Sequence, residues 1–449
     1  MATYYVQNFG CRATQADGAA IEQQFRGLGL ERADAALDAQ VVVLNTCTVT
    51  ASADQDARAA IRKIHRENPA CQIVVTGCYA QRAPDEIAAI SGVTRVIGNS
   101  HKHQLAEIAV GRDNSNSFVP LSNLASSLSP TDRIFVSDIF AHTELLAAPV
   151  FDAPNARTRP NLKVQDGCDN RCSFCVIPSV RGQSRSLPLP RIIEEVNTLG
   201  AAGYKEVVIS GINLGRWGRD LPQPLKFENL VRMILHETDL EKLRISSVEP
   251  MDWSDELISL VAGSSRIAKH AHVPMQSGSD KILRAMHRKY RPWHYREKIE
   301  KIRAAMAHAA IGADVMTGFP GETDQDFDET RRMIEDVPFT YLHVFTYSSR
   351  PGTASEKMPN QVPVHIARER NHTLREIAAK KKRAFMESLV GQEIEAITLD
   401  IARDTDDGQA TEALTDNYLK LRTPGIHAPN QWLRVNVTGI QDETLLATT

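Results

Sequence analysis

The sequence of 449 residues has no long hydrophobic run and no excess of charge of one sign. Its longest apolar runs, such as residues 41–44, are far shorter than a membrane span, so we expect no membrane segment. Lys+Arg 52 against Asp+Glu 55 gives a net charge of -3, which excludes a histone-like coat for nucleic acid but not a local basic surface. Residues 1–10 lack the basic and apolar regions of a secretory signal, so a cytoplasmic location is the expectation.

We also expect no disulfide framework in this protein. The chain has 7 cysteines, an odd number, and a reducing compartment keeps thiols free. Hydrophobic residues make up 42% and charged residues 24%, which is typical of a folded protein with an ample core. The length suits two to four domains.

Strands and helices alternate along most of the chain. Residues 1–113 contain four predicted strands and three predicted helices, which indicates an open parallel sheet with helices on both faces. Residues 114–153, rich in Ser, Asn, Pro and Ala, are predicted to be a linker or insertion, or equally an ordinary domain edge with one short strand at 133–136. The next segment, residues 154–386, has six strand candidates separated by helices: 162–165, 206–210, 243–247, 271–274, 313–317 and 341–346.

Six consecutive strand–helix units predict either a doubly wound sheet or a partial barrel. In both folds the chemistry lies at the carboxyl ends of the strands. The segment closes with a basic helix at about 366–385. Residues 387–449 then contain five short strand candidates, which predict a small antiparallel β-barrel.

One group of cysteines has a diagnostic spacing. Cys168, Cys172 and Cys175 follow a predicted strand directly, in a loop that contains Gly167. Such spacing lets three thiolates converge on one [4Fe–4S] cluster and leaves one iron open for a substrate or cofactor. A structural zinc site would need a fourth ligand, and no nearby histidine supplies it.

The CxxxCxxC spacing, with Phe174 before the last cysteine, resembles the signature of the radical S-adenosylmethionine enzymes. The resemblance covers about residues 161–350 and implies a partial (β/α)6 barrel. It also implies that the open iron is chelated by the methionine part of S-adenosylmethionine, and that electron transfer releases a 5′-deoxyadenosyl radical.

A second group of cysteines is defined by position. Cys11, Cys47 and Cys78 each follow a predicted strand of the N-terminal sheet, so their thiols should lie along one carboxyl edge, where they can hold a second cluster. The alternative is that cysteine is merely tolerated at strand ends. Cys71 precedes its strand and fits an ordinary core position better.

Short motifs along the whole chain resemble the methylthiotransferase family. They are Asn-Phe-Gly-Cys at 8–11, Asn-Thr-Cys at 45–47, Thr-Gly-Cys-Tyr-Ala-Gln at 76–81, Gln-Asp-Gly-Cys at 165–168, Pro-Met-Gln-Ser-Gly-Ser at 274–279 and Gly-Phe-Pro-Gly-Glu-Thr at 318–323. The resemblance implies an N-terminal three-cysteine domain, a radical S-adenosylmethionine barrel and a C-terminal TRAM barrel. One departure is Thr14, where the family usually has Asn; the following Asp17 is kept.

The family resemblance implies two [4Fe–4S] clusters and S-adenosylmethionine as cofactors. One S-adenosylmethionine methylates a sulfur of the auxiliary cluster, and a second yields the radical that removes hydrogen from carbon 2 of an adenine. Besides the six cysteines, five residues are candidates for cofactor contacts: Phe174, Ser210, Gly211, Glu249 and Gln276. Ser210 and Gly211 end a predicted strand, and the resemblance to the family's glycine-rich motif implies that they contact the methionine group, although they can also be ordinary loop residues. Glu249 and Gln276 follow later strands and can bond ribose or carboxylate, or be ordinary barrel-mouth residues.

Three strings, at 45–50, 77–81 and 162–168, resemble the branch that modifies N6-threonylcarbamoyladenosine beside the tRNA anticodon. Alternatives are isopentenyladenosine of tRNA, an aspartate of a small-subunit ribosomal protein, and an RNA-binding module with structural zinc. The expected partners are a tRNA anticodon stem-loop and an electron donor such as flavodoxin or ferredoxin, with no membrane or DNA. Cations and aromatics at 281–303, together with the basic helix, are candidate RNA contacts, or simply solvated helix faces.

Overall fold

The structure, a computed structural model, describes residues 2–111, 133–141, 145, 159–405 and 408–448. Most of the predicted linker at 114–153 lies outside these residues. The described helices include none with the length and apolar character needed to span a bilayer.

The N-terminal sheet is parallel, as predicted. Its described strands are β1 (Thr3–Asn8), β2 (Glu31–Arg32), β3 (Val41–Thr46), β4 (Gln72–Gly77), β5 (Val93–Ile97) and β6 (Ile134–Phe135), in the order β2-β1-β3-β4-β5-β6. Its helices are α1 (Arg12–Gly27), α2 (Ala51–Glu67), α3 (Cys78–Arg82), α4 (Pro84–Ala88) and α5 (Leu105–Val110). Alternate residues of β3 enter different cores: Val42 packs on one face of the sheet and Val43 on the other. This double coverage explains why β3 is apolar without alternation.

The central segment contains the six expected parallel strands within the described residues. The strands are β7 (Asn161–Asp166), β8 (Arg185–Ser186), β9 (Glu206–Gly211), β10 (Lys242–Ile245), β11 (His270–His272), β12 (Ala310–Thr317) and β13 (Tyr341–Thr346), of which β8 is a short antiparallel addition. The helices are α6 (Ile177–Arg181), α7 (Leu189–Ala201), α8 (Phe227–Glu237), α9 (Asp255–Gly263), α10 (Asp280–Ala285), α11 (Pro292–Ala305) and α12 (Asp324–Asp336). Hydrogen bonding divides the strands into two sheets, β10-β9-β7-β8 and β11-β12-β13. The sheets meet where Val248 N donates to His272 O at 3.1 Å.

The C-terminal segment begins with α13 (Val364–Glu387) and continues as a closed barrel. Its described strands are β14 (Glu393–Thr405), β15 (Gly408–Thr415), β16 (Lys420–Pro424), β17 (Trp432–Gln441) and β18 (Thr444–Thr448). The predicted small antiparallel barrel is confirmed in four of its five pairings, and the exception is that β16 and β18 are parallel. A ring with an odd number of strands cannot alternate direction throughout, so at least one neighbouring pair must be parallel.

The basic residues of α13 are partly used inside the chain. Arg370 is buried and forms ion pairs with Glu322 and Asp324, both at 2.6 Å. Lys381 donates to the carbonyl oxygens of Glu335 at 2.7 Å and Val337 at 2.9 Å. These two cations therefore attach the helix to the central segment and are not free for phosphate contacts.

A buried ion-pair network joins the N-terminal sheet to the central segment. Asp17 of α1 bonds Lys102 at 3.0 Å, Arg181 of α6 at 3.0 Å, and Lys163 of β7. Asp166 bonds the same Lys163 at 2.8 Å and Arg181 at 3.0 Å. Burial alone would raise the pKa of Asp17, but the three cations lower it well below its ordinary value. The carboxylate is therefore charged and pairs across the domain boundary.

We predict that Asp17→Asn destabilises the protein by about 3 kcal/mol, because it leaves buried cations without a counter-charge. The measurement is urea unfolding of the anaerobically purified protein. Asp336→Asn is the matched control, since that carboxylate is largely exposed and pairs with Arg296 at 3.1 Å. Its effect should stay within about 0.5 kcal/mol. Equal effects of the two substitutions would contradict a structural role for the network.

Candidate functional site

A cavity of about 560 Å³ lies where the N-terminal sheet, the central segment and the C-terminal barrel meet. Its wall includes nine of the residues predicted for the site, namely Cys11, Cys168, Cys172, Phe174, Cys175, Ser210, Gly211, Glu249 and Gln276. The remaining two, Cys47 and Cys78, are buried at the same sheet edge as Cys11. The cavity opens at the carboxyl ends of the central strands, where this class of fold places its ligands.

The loop after β7 brings Cys168, Cys172 and Cys175 to the cavity wall. The loop begins at Gly167, whose φ of 72° is left-handed and whose Cβ, if present, would overlap the carbonyl oxygen of Gln183. Only glycine therefore fits there. This backbone requirement explains why a glycine precedes the first cysteine of the triplet.

Polar hydrogens point at the sulfurs of this loop. Cys168 Sγ accepts from the backbone N–H of Asn170 at 3.4 Å and from Asn213 Nδ2 at 3.5 Å. Arg288 Nη1 donates to Cys172 Sγ at 3.3 Å. Donors and a cation beside sulfur stabilise thiolates, which are the ligands of an iron–sulfur cluster. The donor set therefore fits an iron–sulfur cluster that Cys168, Cys172 and Cys175 would hold at the cavity wall.

Several polar atoms of the cavity wall lack a hydrogen-bond partner among the described residues. They are Ser210 Oγ, Asn213 Oδ1 and Gln276 Oε1, all buried. Gln276 also has a φ of 63°, which is uncommon for a residue other than glycine. Unpaired buried polar atoms and local backbone strain are both concentrated at ligand sites. These atoms suit the polar groups of a bound cofactor.

Some of the cations and aromatics in the stretch 281–303 are buried. Arg288 forms a buried ion pair with Glu249. Tyr290 and Tyr295 are buried, and their hydroxyls donate to backbone carbonyls at 2.6 Å. The prediction of base stacking is therefore wrong for Tyr290 and Tyr295, whose side chains fill the core, whereas Trp293 is exposed.

The N-terminal cysteines lie at the carboxyl edge of their sheet. Cys11 follows β1 and precedes α1, Cys47 follows β3, and Cys78 begins α3 after β4. A Cβ at Gly10 would lie 2.7 Å from Cys47 Cβ, so the first two turns pack closely. Cys78 Sγ accepts from Asn99 Nδ2 at 3.7 Å. The three strand ends thus converge as the sequence pattern predicts.

The protons of the buried thiols are held firmly when no metal is bound. Burial raises the pKa of Cys47 to about 11, with further contributions from Cys78 and Cys11. Burial also raises the pKa of Cys175 to about 12. Metal binding has to displace these protons. Cys71, unlike the other N-terminal cysteines, precedes its strand β4 and packs in the apolar core, as expected.

Among the described residues no three His, Cys, Asp or Glu side chains are close enough to share one metal ion. A structural zinc ion needs four such ligands around a single atom. In a cubane cluster each thiolate binds a different iron, so the ligands are further apart. The described side chains therefore form no ready site for a structural zinc ion.

Two residues of the site were not identified from the sequence. Asn213 lies just beyond β9, and its nearness to Gly211 is a signal that could have found it. Arg288 lies 116 positions from Cys172. No local pattern connects residues so far apart, so only the folded chain reveals this contact.

Comparison with known proteins identifies two regions. Residues 3–98 match the model of uncharacterized protein family UPF0004, and residues 162–334 match the model of the radical SAM superfamily. The two matches correspond to the N-terminal sheet and to most of the central segment.

Full-length relatives carry related names. Threonylcarbamoyladenosine tRNA methylthiotransferase MtaB of Bacillus subtilis is 36% identical over 94% of this chain and 90% of its own length. The protein of that name from Aquifex aeolicus is 34% identical over 96% of this chain and 98% of its own length. The tRNA-2-methylthio-N(6)-dimethylallyladenosine synthase of Thermobifida fusca is 32% identical over 88% of this chain and 77% of its own length.

A solved structure shares the fold. The radical S-adenosylmethionine methyltransferase TsrM from Kitasatospora setae aligns with a TM-score of 0.59 over 79% of this chain and 77% of its own. The sequences are 15% identical. The likeness supports the mixed α/β architecture predicted from the sequence.

We predict that iodoacetamide at neutral pH labels Cys11 first in the iron-free protein, because Cys11 is exposed. Cys47 should react at least about tenfold more slowly, since burial shields its sulfur and raises its pKa. Peptide mass spectrometry over a time course measures the rates. Unfolding in urea is the control and should make the rates similar. Equal labelling in the folded protein would be inconsistent with the described burial.

Proposed function

This chain belongs to the tRNA methylthiotransferase family of radical S-adenosylmethionine enzymes, and we propose that its substrate is N6-threonylcarbamoyladenosine beside the tRNA anticodon. In this proposal the enzyme replaces the hydrogen on carbon 2 of the adenine with a methylthio group. The named relatives of this specificity are 31% to 36% identical to the chain. The transfer takes place in the cytoplasm, where tRNA is available.

The observation that carries the proposal is the shared cavity. Cys11 of the N-terminal sheet and the three cysteines of the β7 loop line the same space. A methylthio donor and a radical source both have to reach one carbon atom, so their sites must face a common substrate position. A cavity lined by both cysteine groups meets this requirement.

Cys168, Cys172 and Cys175 are proposed to hold the radical-generating [4Fe–4S] cluster, with S-adenosylmethionine in the adjoining cavity. When bound, this pair supplies the radical that removes hydrogen from carbon 2, which is too weakly acidic for a general base. Phe174, Ser210, Gly211, Glu249 and Gln276 are the proposed cofactor contacts. Of these, Ser210 and Gln276 offer unpaired side-chain oxygens.

Cys11, Cys47 and Cys78 are proposed to bind the second, auxiliary [4Fe–4S] cluster. Three thiols gathered at one sheet edge support this assignment. Asn99 lies beside them and can donate to a cluster sulfur, as it does to Cys78. Thr14 Oγ1 lies 3.6 Å from Cys11 Sγ, so the residue that replaces the family's usual Asn still places a polar group at the site.

The domain assignment accompanies this proposal. Residues 1–113 form the methylthiotransferase domain and residues 114–153 the linker or insertion. The radical domain spans residues 154–386, and the TRAM domain spans residues 387–449. The tRNA anticodon stem-loop binds across the cavity mouth, and flavodoxin or ferredoxin supplies electrons. The zinc module is not supported, because the chain matches the radical SAM superfamily and its described residues contain no group of three metal ligands.

We predict that the chain, expressed in a bacterial strain that has N6-threonylcarbamoyladenosine but not its 2-methylthio derivative, produces that derivative in tRNA. Nucleoside mass spectrometry detects the product, and Cys168→Ala is the inactive control. Methylthiolation of isopentenyladenosine, with N6-threonylcarbamoyladenosine unchanged, would reject the proposed substrate. If the tRNA is unchanged, the proposed tRNA substrate is rejected and the ribosomal-protein aspartate is the alternative substrate.

We predict distinct losses for the two cysteine groups. Cys168→Ala should abolish reductive cleavage of S-adenosylmethionine, measured as 5′-deoxyadenosine. Replacing Cys11, Cys47 and Cys78 together should preserve cleavage, end methylthiolation, and reduce iron from about eight to about four per chain. The matched control is Cys71→Ala, which should keep all iron and both reactions. Product formation by the triple variant would refute the auxiliary role.

A further inference from the structure

Three arginines from the N-terminal helix α1, the segment before β7 and the strand β10 lie close to Tyr418 of the C-terminal barrel. Arg12, Arg159 and Arg244 surround Tyr418 and are called here the guanidinium cluster. Arg12 Nη2 donates to the hydroxyl of Tyr418 at 3.2 Å, and the Arg244 guanidinium lies 5.4 Å from the centre of its ring. Arg159 is close enough for its charge to act on the same hydroxyl.

The negative charge beside this cluster is smaller than the positive charge. Glu206 is completely buried and pairs with both Arg159 at 3.4 Å and Arg244 at 2.6 Å. Within the described part of the chain, no carboxylate forms an ion pair with Arg12. One carboxylate therefore serves two guanidinium groups, while the third faces the cavity with only a phenol as partner.

The other carboxylates near the cavity form no ion pair with Arg12 among the described residues. Glu249 pairs with Arg288. Asp314 lies 3.4 Å from His272 Nε2, and Asp416 lies 3.6 Å from Lys242. The guanidinium of Arg12 therefore has no carboxylate at ion-pair distance among the described residues. A cavity-lining cation of this kind favours binding of an anion.

Neutral polar groups adjoin Arg12. His270 bonds the hydroxyl of Tyr341 at 2.6 Å through Nε2, and its buried Nδ1 has no partner among the described residues. Burial, followed by the charges of Arg244 and His272, holds the pKa of His270 well below its ordinary value. The ring is therefore neutral near pH 7. It offers a hydrogen-bonding atom to a ligand without adding charge.

The backbone of Tyr418 is held in an unusual conformation. Its φ is 68°, in the left-handed region that residues other than glycine seldom adopt. Asn417 anchors this turn by donating to the carbonyl oxygen of His308 at 3.1 Å. The turn brings a C-terminal barrel residue into the cavity beside Arg12. Such strain is retained where the surrounding structure imposes a particular geometry.

We propose that Arg12 binds the carboxylate of the threonylcarbamoyl group and thereby selects this substrate over adenosines with an uncharged N6 substituent. The inference rests on the proposed function and identifies the residue responsible for its specificity. A threonylcarbamoyl group ends in a carboxylate and a hydroxyl, whereas a dimethylallyl group has no polar atom. A guanidinium without a carboxylate partner can form an ion pair with the threonylcarbamoyl group. A dimethylallyl group would leave the same guanidinium unpaired.

The test measures equilibrium binding of the anaerobically purified holoenzyme to two anticodon stem-loop RNAs. One carries N6-threonylcarbamoyladenosine, and the other carries the same group with its carboxylate replaced by a carboxamide. Because the RNAs share all phosphates, the ratio of their Kd values isolates the carboxylate. The wild-type protein should bind the carboxylate RNA about 30-fold more tightly, the loss expected when one partner of a largely desolvated charge pair is removed.

Arg12→Gln should reduce this ratio to near one by weakening binding of the carboxylate RNA, and Arg12→Lys should restore part of it. Arg62→Gln is the matched control, since this arginine is exposed on α2, and it should keep the wild-type ratio. Because Arg12 follows Cys11, iron content is measured for each variant. The wild-type comparison of the two RNAs needs no variant and stands even where cluster loading fails.

Equal binding of both RNAs by the wild-type protein overturns the inference, and so does an Arg12→Gln protein that keeps the wild-type ratio. Methylthiolation of the carboxylate RNA is measured in parallel with the wild-type enzyme. If the enzyme methylthiolates the carboxylate RNA but binds both RNAs equally, the role of Arg12 is overturned and the proposed function stays intact. Absence of product from the carboxylate RNA, with product from an isopentenyladenosine RNA, overturns both.

Discussion

The buried ion pairs around Asp17 determine how the two largest parts of this chain meet. Asp17 belongs to the N-terminal helix α1, while Lys163 and Arg181 belong to the central segment. Ions removed from water need opposite charges at short range, so the two parts have few alternative ways to pack. The N-terminus of α1 carries Cys11, and β7 leads into the loop of Cys168. The same contact therefore sets the relation between the two cysteine groups.

The cavity follows from this arrangement. Its walls come from three parts of the chain, and each part contributes a different chemistry. The N-terminal sheet supplies Cys11 and Arg12, the central strands supply polar atoms and the second thiol group, and the C-terminal barrel supplies Tyr418. A substrate held among them would contact groups that are far apart in sequence. Such a site can combine radical chemistry with recognition of a modified base.

The local pattern of apolar residues in the sequence was sufficient to predict much of the fold. Apolar strands alternating with amphipathic helices predicted the parallel N-terminal sheet and the six parallel central strands, because burial on both faces of a sheet leaves a clear sequence pattern. The sequence pattern was insufficient to predict contacts between parts of the chain that are far apart in sequence. The parallel contact of β16 with β18 arises from ring closure, and Tyr290 and Tyr295 are buried because of packing that charge and aromatic spacing do not encode.

The sequence by itself determined the cysteine spacing, the strand ends on which the cysteines lie and the family motifs, since these depend on neighbours along the chain. Tertiary structure alone decided which charges are balanced. Arg288 is neutralised by Glu249 and Arg244 by Glu206, whereas Arg12 has no carboxylate partner among the described residues. The physical reason is that Coulomb attraction depends on distance through space, and folding brings together groups that the chain separates widely.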